Sequence, residues 1–84
     1  MAKVVVKLSQ PIKLAGKDVA ELEMREPTAR DFRLTFTKKN TDKFSQQQLM
    51  MQMAAGLSGV SDDEFDQLCL KDMTAVLEAV DRFV

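Results

Sequence analysis

The chain opens with an alternation that few folds accommodate. Val4, Val6, Leu8, Ile12 and Leu14 are apolar at even positions, and Ala20, Leu22 and Met24 keep that parity between Glu21, Glu23 and Arg25. Alternation of period two puts every second side chain on one face of an extended strand, so the stretch reads as β-structure with one buried face. Ala15-Gly16-Lys17-Asp18 lies at its centre, and Gly16 accepts the positive φ that a tight turn needs. Residues 1–26 therefore read as a β-hairpin.

Parity also constrains the turn. A two-residue loop pairs residues whose numbers sum to an odd value, which sets Leu14 beside Val19 and turns Leu22 to the wrong face. Keeping the apolar residues together calls for an odd loop of three or five residues, with or without a bulge. Pro11 has no N–H for a ladder, so the first arm is expected to break there. Lys3, Lys7 and Lys17 are expected to guard the open edge against strand pairing.

Pro27 ends the second strand, and helical signals follow it. Thr28 with Asp31 makes a capping box with Asp in place of Glu. Ala29, Phe32 and Phe36 come next at helical spacing, and Lys38-Lys39-Asn40 suit a helix C-terminus. Phe32, Leu34 and Phe36 also alternate as a strand would; the cap favours helix. Thr41 to Phe44 reads as a loop. Ser45 with Gln48 caps a helix from Gln46 to about Leu57, with Gly59 just beyond it and a stripe of Leu49, Met50, Met53 and Leu57. Ser61 with Glu64 caps a short helix to Leu68, and Asp62-Asp63-Glu64 complement its positive end. The last helix runs from near Leu70 to the C-terminus. Its stripe is Leu70, Met73, Leu77, Val80 and Phe83, with Val76 beside it and Asp72, Glu78, Asp81 and Arg82 on the polar side.

The fold class is thus α+β: an N-terminal β-hairpin (1–26) followed by a small bundle of three to four helices (28–84). With 84 residues the chain suffices for a single domain and is too short for two.

Catalytic chemistry finds few footholds here. His is absent, which removes Ser-His-Asp and Cys-His machinery and the commonest metal ligand. Cys69 cannot build a zinc site alone and, between Leu68 and Leu70, reads as a buried thiol. A single cysteine in so small a chain fits a reducing cytoplasm. Asp62, Asp63, Glu64 and Asp66 lack the spacing of a calcium loop, and the three glycines form no phosphate loop. No apolar run approaches the ~20 residues of a membrane span, and no export signal precedes the hairpin. The expectation is a non-enzyme with no cofactor, no metal, no small-molecule substrate and no membrane segment.

Charge is unevenly placed. Residues 1–43 hold ten Lys or Arg against six Asp or Glu, a net of +4, while 44–84 hold two against seven, a net of −5. Either the halves face each other within the domain, or they steer a partner or a second copy. Arg30, Arg33, Lys38 and Lys39 beside Phe32 and Phe36 would suit phosphates, but the pI is about 5.3 and no nucleic-acid motif accompanies them. That leaves surfaces for protein. Met50, Met51 and Met53 offer the adaptable contacts of promiscuous binding surfaces, so Leu49, Met50, Met51, Met53 and Leu57 are the candidate partner-binding residues. The competing reading places them in the core.

The order of these features resembles one family. Leu14-Ala15-Gly16-Lys17-Asp18-Val19, then Leu22-Glu23-Met24-Arg25-Glu26-Pro27-Thr28-Ala29-Arg30-Asp31, then Leu57-Ser58-Gly59-Val60, the acidic capped helix and the leucine-spaced last helix are similar to the small tail assembly chaperones of Mu-like and related contractile-tailed phages and prophages. The resemblance spans nearly the whole chain. Cys69 departs from it, standing where the family often has Asp, and Phe32 to Lys39 are more aromatic and basic than the family suggests. The resemblance implies binding to the tape measure protein, recruitment of tail tube protein, action in the cytoplasm of the bacterial host and absence from the mature virion. It brings no catalytic residues. The alternative is a small phage or prophage regulator that binds nucleic acid through Arg30, Arg33, Lys38 and Lys39.

Overall fold

In a computed structural model that describes residues 3–83, the alternating stretch pairs as an antiparallel hairpin of β1 (Lys3–Leu14) and β2 (Lys17–Arg25). Met1 and Ala2 of the expected hairpin and Val84 of the expected last helix lie outside the described residues. Leu14 opposes Lys17, so the loop has two residues, Ala15 and Gly16, with φ of 52° and 81°. Positive φ at both positions marks a type I′ turn, whose twist matches the strands. This corrects the expected three- or five-residue loop.

The parity problem is solved farther along. Ile12 pairs with Val19 and Lys7 with Glu21, so Leu8, Ser9, Gln10 and Pro11 together oppose only Ala20. The three extra residues reset the parity, and Val6, Ile12, Leu22 and Met24 all reach the core. Pro11 sits in this bulge, where its missing N–H costs no ladder bond.

A bulge strands backbone N–H groups that need acceptors. Asp72 supplies two: its Oδ1 accepts from Ser9 N–H at 2.9 Å and its Oδ2 from Gln10 N–H at 3.2 Å. Gln67 accepts from Lys13 N–H at 2.8 Å and donates back to Lys13 C=O at 2.9 Å, as a neighbouring strand would. Glu64 accepts from Ala15 N–H at 3.3 Å. Side chains from the C-terminal half thus occupy the edge of β1 from Ser9 to Ala15. Lys3, Lys7 and Lys17 are exposed, and Lys3 pairs with Glu23 at 3.0 Å.

Five helices follow: α1 (Ala29–Thr35), α2 (Lys38–Lys43), α3 (Gln46–Ser58), α4 (Asp62–Phe65) and α5 (Leu70–Asp81). The capping boxes at Thr28, Ser45 and Ser61 all form, and Gly59 closes α3 in the left-handed conformation. The single helix expected from Thr28 to Lys39 is instead two. Thr37 restarts the chain as an N-cap, accepting from Asn40 N–H at 3.1 Å, while the Asn40 side-chain amide donates to Thr35 C=O at 3.0 Å. Thr41 to Lys43 are therefore helical, not loop. The short helix stops at Phe65 rather than Leu68, and α5 stops at Asp81.

The last helix is rotated from its expected setting. Its buried residues are Asp72, Val76, Ala79 and Val80, and Leu70 is 76% exposed. Val76 and Val80 stay inside, but the buried face turns toward Asp72 and Ala79, which brings Asp72 to the bulge and leaves Leu70 in water. Two hydrogen bonds to the buried Asp72 carboxylate balance the loss of one leucine's burial, because a hydrogen bond to a charged group contributes about as much as burying a leucine. The core lies between the inner face of the hairpin and two helices, α5 packing on β1 and α3 on β2. Leu22, Met24, Leu49, Val76 and Val80 are its most deeply buried large side chains.

Ala15 bears a β-carbon in a region that costs such residues about 1 kcal/mol, whereas Asn tolerates it. Ala15→Asn should raise the urea midpoint with an unchanged slope, by about 0.5–1 kcal/mol in stability. Ser9 N–H, foremost, holds the Asp72 carboxyl below its ordinary range, and Ser61 N–H followed by Ala15 N–H does the same for Glu64. Such groups stabilise the fold above their unfolded pKa of about 4 and lose that contribution as pH falls through the depressed native value. With no His, thermal midpoints should be flat from about pH 5.5 to 8 and fall below about pH 4. Asp72→Asn should lower the neutral-pH midpoint and flatten the acid limb; an equally steep acid limb would contradict the clamp.

Candidate functional site

The segment after the hairpin carries no buried residue in either α1 or α2. What fixes α1 is polar. Arg25, at the end of β2, donates to both oxygens of Asp31 at 2.7 Å, and Thr28 N–H donates to the same carboxylate at 2.8 Å. Arg25 above all, then Thr28, holds the Asp31 carboxyl well below the usual carboxylate range. Helix α1 is therefore pinned to the sheet at its first turn and lies across α3 without joining the core.

Its apolar side chains stay accessible as a result. Phe32 is 49% exposed and Leu34 62%. Phe32 stacks on Phe36 with ring centroids 4.4 Å apart. Phe32 also forms one wall of a cavity of about 370 Å³, with Pro27 and Ala29 beside it, Met50 and Met53 of α3 beneath it, and Val80 and Phe83 across from it. Gln46 and Met50 continue this cavity toward Leu77 and Asp81. Phe32 and Gln46 continue it toward Phe36, Thr41 and Phe44. The whole is an apolar trough across the first turns of α3, walled by α1 on one side and the end of α5 on the other.

The five residues selected from the sequence separate by burial. Leu49, Met53 and Leu57 are in the core, exposed by 1%, 7% and 4%. Met50 and Met51 are half-buried. Met50 enters the trough, with Met53 and Leu49 lining it from below. Met51 points elsewhere, into a shallow depression with Phe44, Gln48 and Phe65. Sequence reasoning missed Phe32, Pro27 and Phe83 as trough residues. Phe32 belonged to the stripe Ala29, Phe32, Phe36, and only the structure shows that Phe36 packs against the core while Ala29 and Phe32 line the groove.

The charged groups sort similarly. Arg30, Arg33, Lys38 and Lys39 are all exposed. Both ion pairs among the described residues, Lys3–Glu23 and Arg25–Asp31, join members of the basic half to each other. Direct ion pairing therefore does not set the +4 half against the −5 half. Cys69 is half-buried, 3.7 Å from the Ser9 hydroxyl, and caps α5 without a side-chain hydrogen bond. Among the described residues, no three His, Cys, Asp or Glu side chains gather to hold a metal ion, and no helix is long and apolar enough to cross a membrane.

The chain matches the protein family described as phage tail assembly chaperone proteins, E, or 41 or 14, over residues 5–84. No curated protein and no solved structure matches it.

Proposed function

Since the chain belongs to the family of phage tail assembly chaperone proteins, we propose that it binds the tape measure protein and assists assembly of the tail tube around it. The match over residues 5–84 carries this reading. An assembly chaperone acts on protein partners, and the exposed apolar trough at Phe32 and Met50 is the kind of surface a protein partner covers. On this reading the chain acts as a single domain, with tail tube protein as a second partner and no catalytic step. It works in the cytoplasm of the bacterial host and is left out of the mature virion. Of the five residues chosen from sequence, Met50 and Met51 would meet the partner, and Leu49, Met53 and Leu57 would support them from the core.

A second reading rests on the exposure of Arg30, Arg33, Lys38 and Lys39, which suits nucleic acid. A gel shift at low salt separates the two: a retarded band that vanishes with added salt favours a regulator.

Co-expression with the tape measure protein of the same phage should raise that protein's soluble yield several-fold and give a co-purifying complex. Purified particles should lack the chain by mass spectrometry. Unchanged solubility with no complex would remove the tape measure protein as partner.

A further inference from the structure

We propose that the trough receives one amphipathic α-helix of the protein partner, apolar face inward, with carboxylates along its α1 flank. This rests on the protein-binding reading above and names what fills the site.

The shape comes first. The cavity between Phe32, Met50 and Phe83 shares Gln46 with two shallower hollows, one reaching Leu77 and the other Phe44, so the three lie side by side. Its walls are side chains on helices whose backbone groups are already bonded within the helices. An extended peptide laid here would bring its own N–H and C=O groups to an apolar wall without partners. A helix brings none, because it satisfies its backbone internally, so helix-in-groove docking is the mode the trough accepts.

A second copy does not fill it face to face. Two troughs brought together about a two-fold axis oppose cavity to cavity and leave their linings without contact atoms. Most of the apolar face of α3 and the Val76-Ala79-Val80 face of α5 are spent inside the fold, so neither face is free to enter another copy's trough.

Charge then sets the occupant's chemistry. Arg33 follows Phe32 in α1 and stands one turn from Ala29, both of which line the cavity, and Arg30 is next to Ala29, so both arginines flank the residues of that wall. Both are exposed, and neither takes part in the ion pairs found among the described residues. The opposite rim ends on the exposed Asp81. A partner helix with carboxylates toward α1 and a cation toward α5 meets both rims and is thereby oriented.

The test uses the full chain co-expressed with the tape measure protein, comparing wild type with Met50→Glu, Phe32→Glu, the double variant Arg30→Glu/Arg33→Glu, and Leu70→Glu. Leu70 is exposed at the far end of α5, about 16 Å from Asp81 along the helix axis, and serves as the control. The three trough variants should bind at least tenfold more weakly, and Leu70→Glu should bind like wild type. Circular dichroism reports the fold, and Phe32→Glu keeps the test valid if Met50→Glu unfolds, because α1 contributes no buried residue. Wild-type binding that survives Phe32→Glu and the arginine reversals overturns the trough while leaving the proposed function standing. Failure of wild type to bind overturns both. Sedimentation of the chain alone gives one more outcome: a dimer that Phe32→Glu dissociates would mean the trough holds a second copy, against the proposal.

Discussion

The fold turns on how a strand keeps one face buried after a turn that reverses its parity. The tight Ala15-Gly16 turn suits strand twist but sets the wrong register for Leu22 and Met24. Three extra residues in β1 repair the register, and the repair leaves Ser9 and Gln10 with N–H groups and no strand to accept them. Asp72 accepts both, from 62 or more residues along the chain. That carboxylate fixes the rotation of α5, and α5 with α3 then closes the core over the hairpin. Phe83, just beyond the end of α5, stands with Val80 in the far wall of the trough.

Local signals were legible where their partners are local. Each of the three capping boxes pairs side chains three residues apart, and each forms as read. The alternation of Val4 through Met24 placed the hairpin, and Pro11 marked its break. Parity demanded an odd correction but could not say whether the loop or the strand would carry it. The Asp72 clamp was illegible for another reason. On a helical wheel Asp72 lies beside Val76, Ala79 and Val80, opposite Asp81, but its charge assigns it to the polar side; only the stranded N–H groups of the bulge give a carboxylate a reason to stand on the buried face. The break at Phe36 was hidden because Thr37 has no Glu or Gln three residues on, and Lys38-Lys39-Asn40 imitate the end of a helix.

The same distinction explains the candidate site. Leu49, Met50, Met53 and Leu57 lie on one stripe of α3, and a stripe does not reveal which of its members meet the sheet. Met53 and Leu57 join the core cluster with the hairpin residues, Leu49 is buried beside Phe36 and Phe44, and Met50, one turn nearer the helix start than Ala54, looks toward α1 and Phe83. The exposed half of the site comes from α1, whose aromatic and basic composition was visible but whose separation from the core was not.

That separation has an energetic meaning. A wall held by an ion pair, a cap and one stacked phenylalanine pair is held by interactions of about 0–1 kcal/mol for the exposed ion pair and about 1 kcal/mol for the cap. The core beneath it rests on the burial of Leu22, Met24, Val76 and Val80, each contributing about 1.5–3 kcal/mol. Displacing α1 therefore costs far less than disturbing the sheet, α3 or α5. A trough with one soft wall and a methionine in its floor adjusts to side chains of different shape without unfolding its scaffold. Binding of the kind proposed would spend part of its contact energy on ordering the wall, which keeps its strength modest. For a chaperone that leaves its partner before the virion is complete, which is what the absence from the mature virion proposed above requires, a well-packed hairpin core carrying a lightly held helix would reconcile a stable fold with a releasable grip.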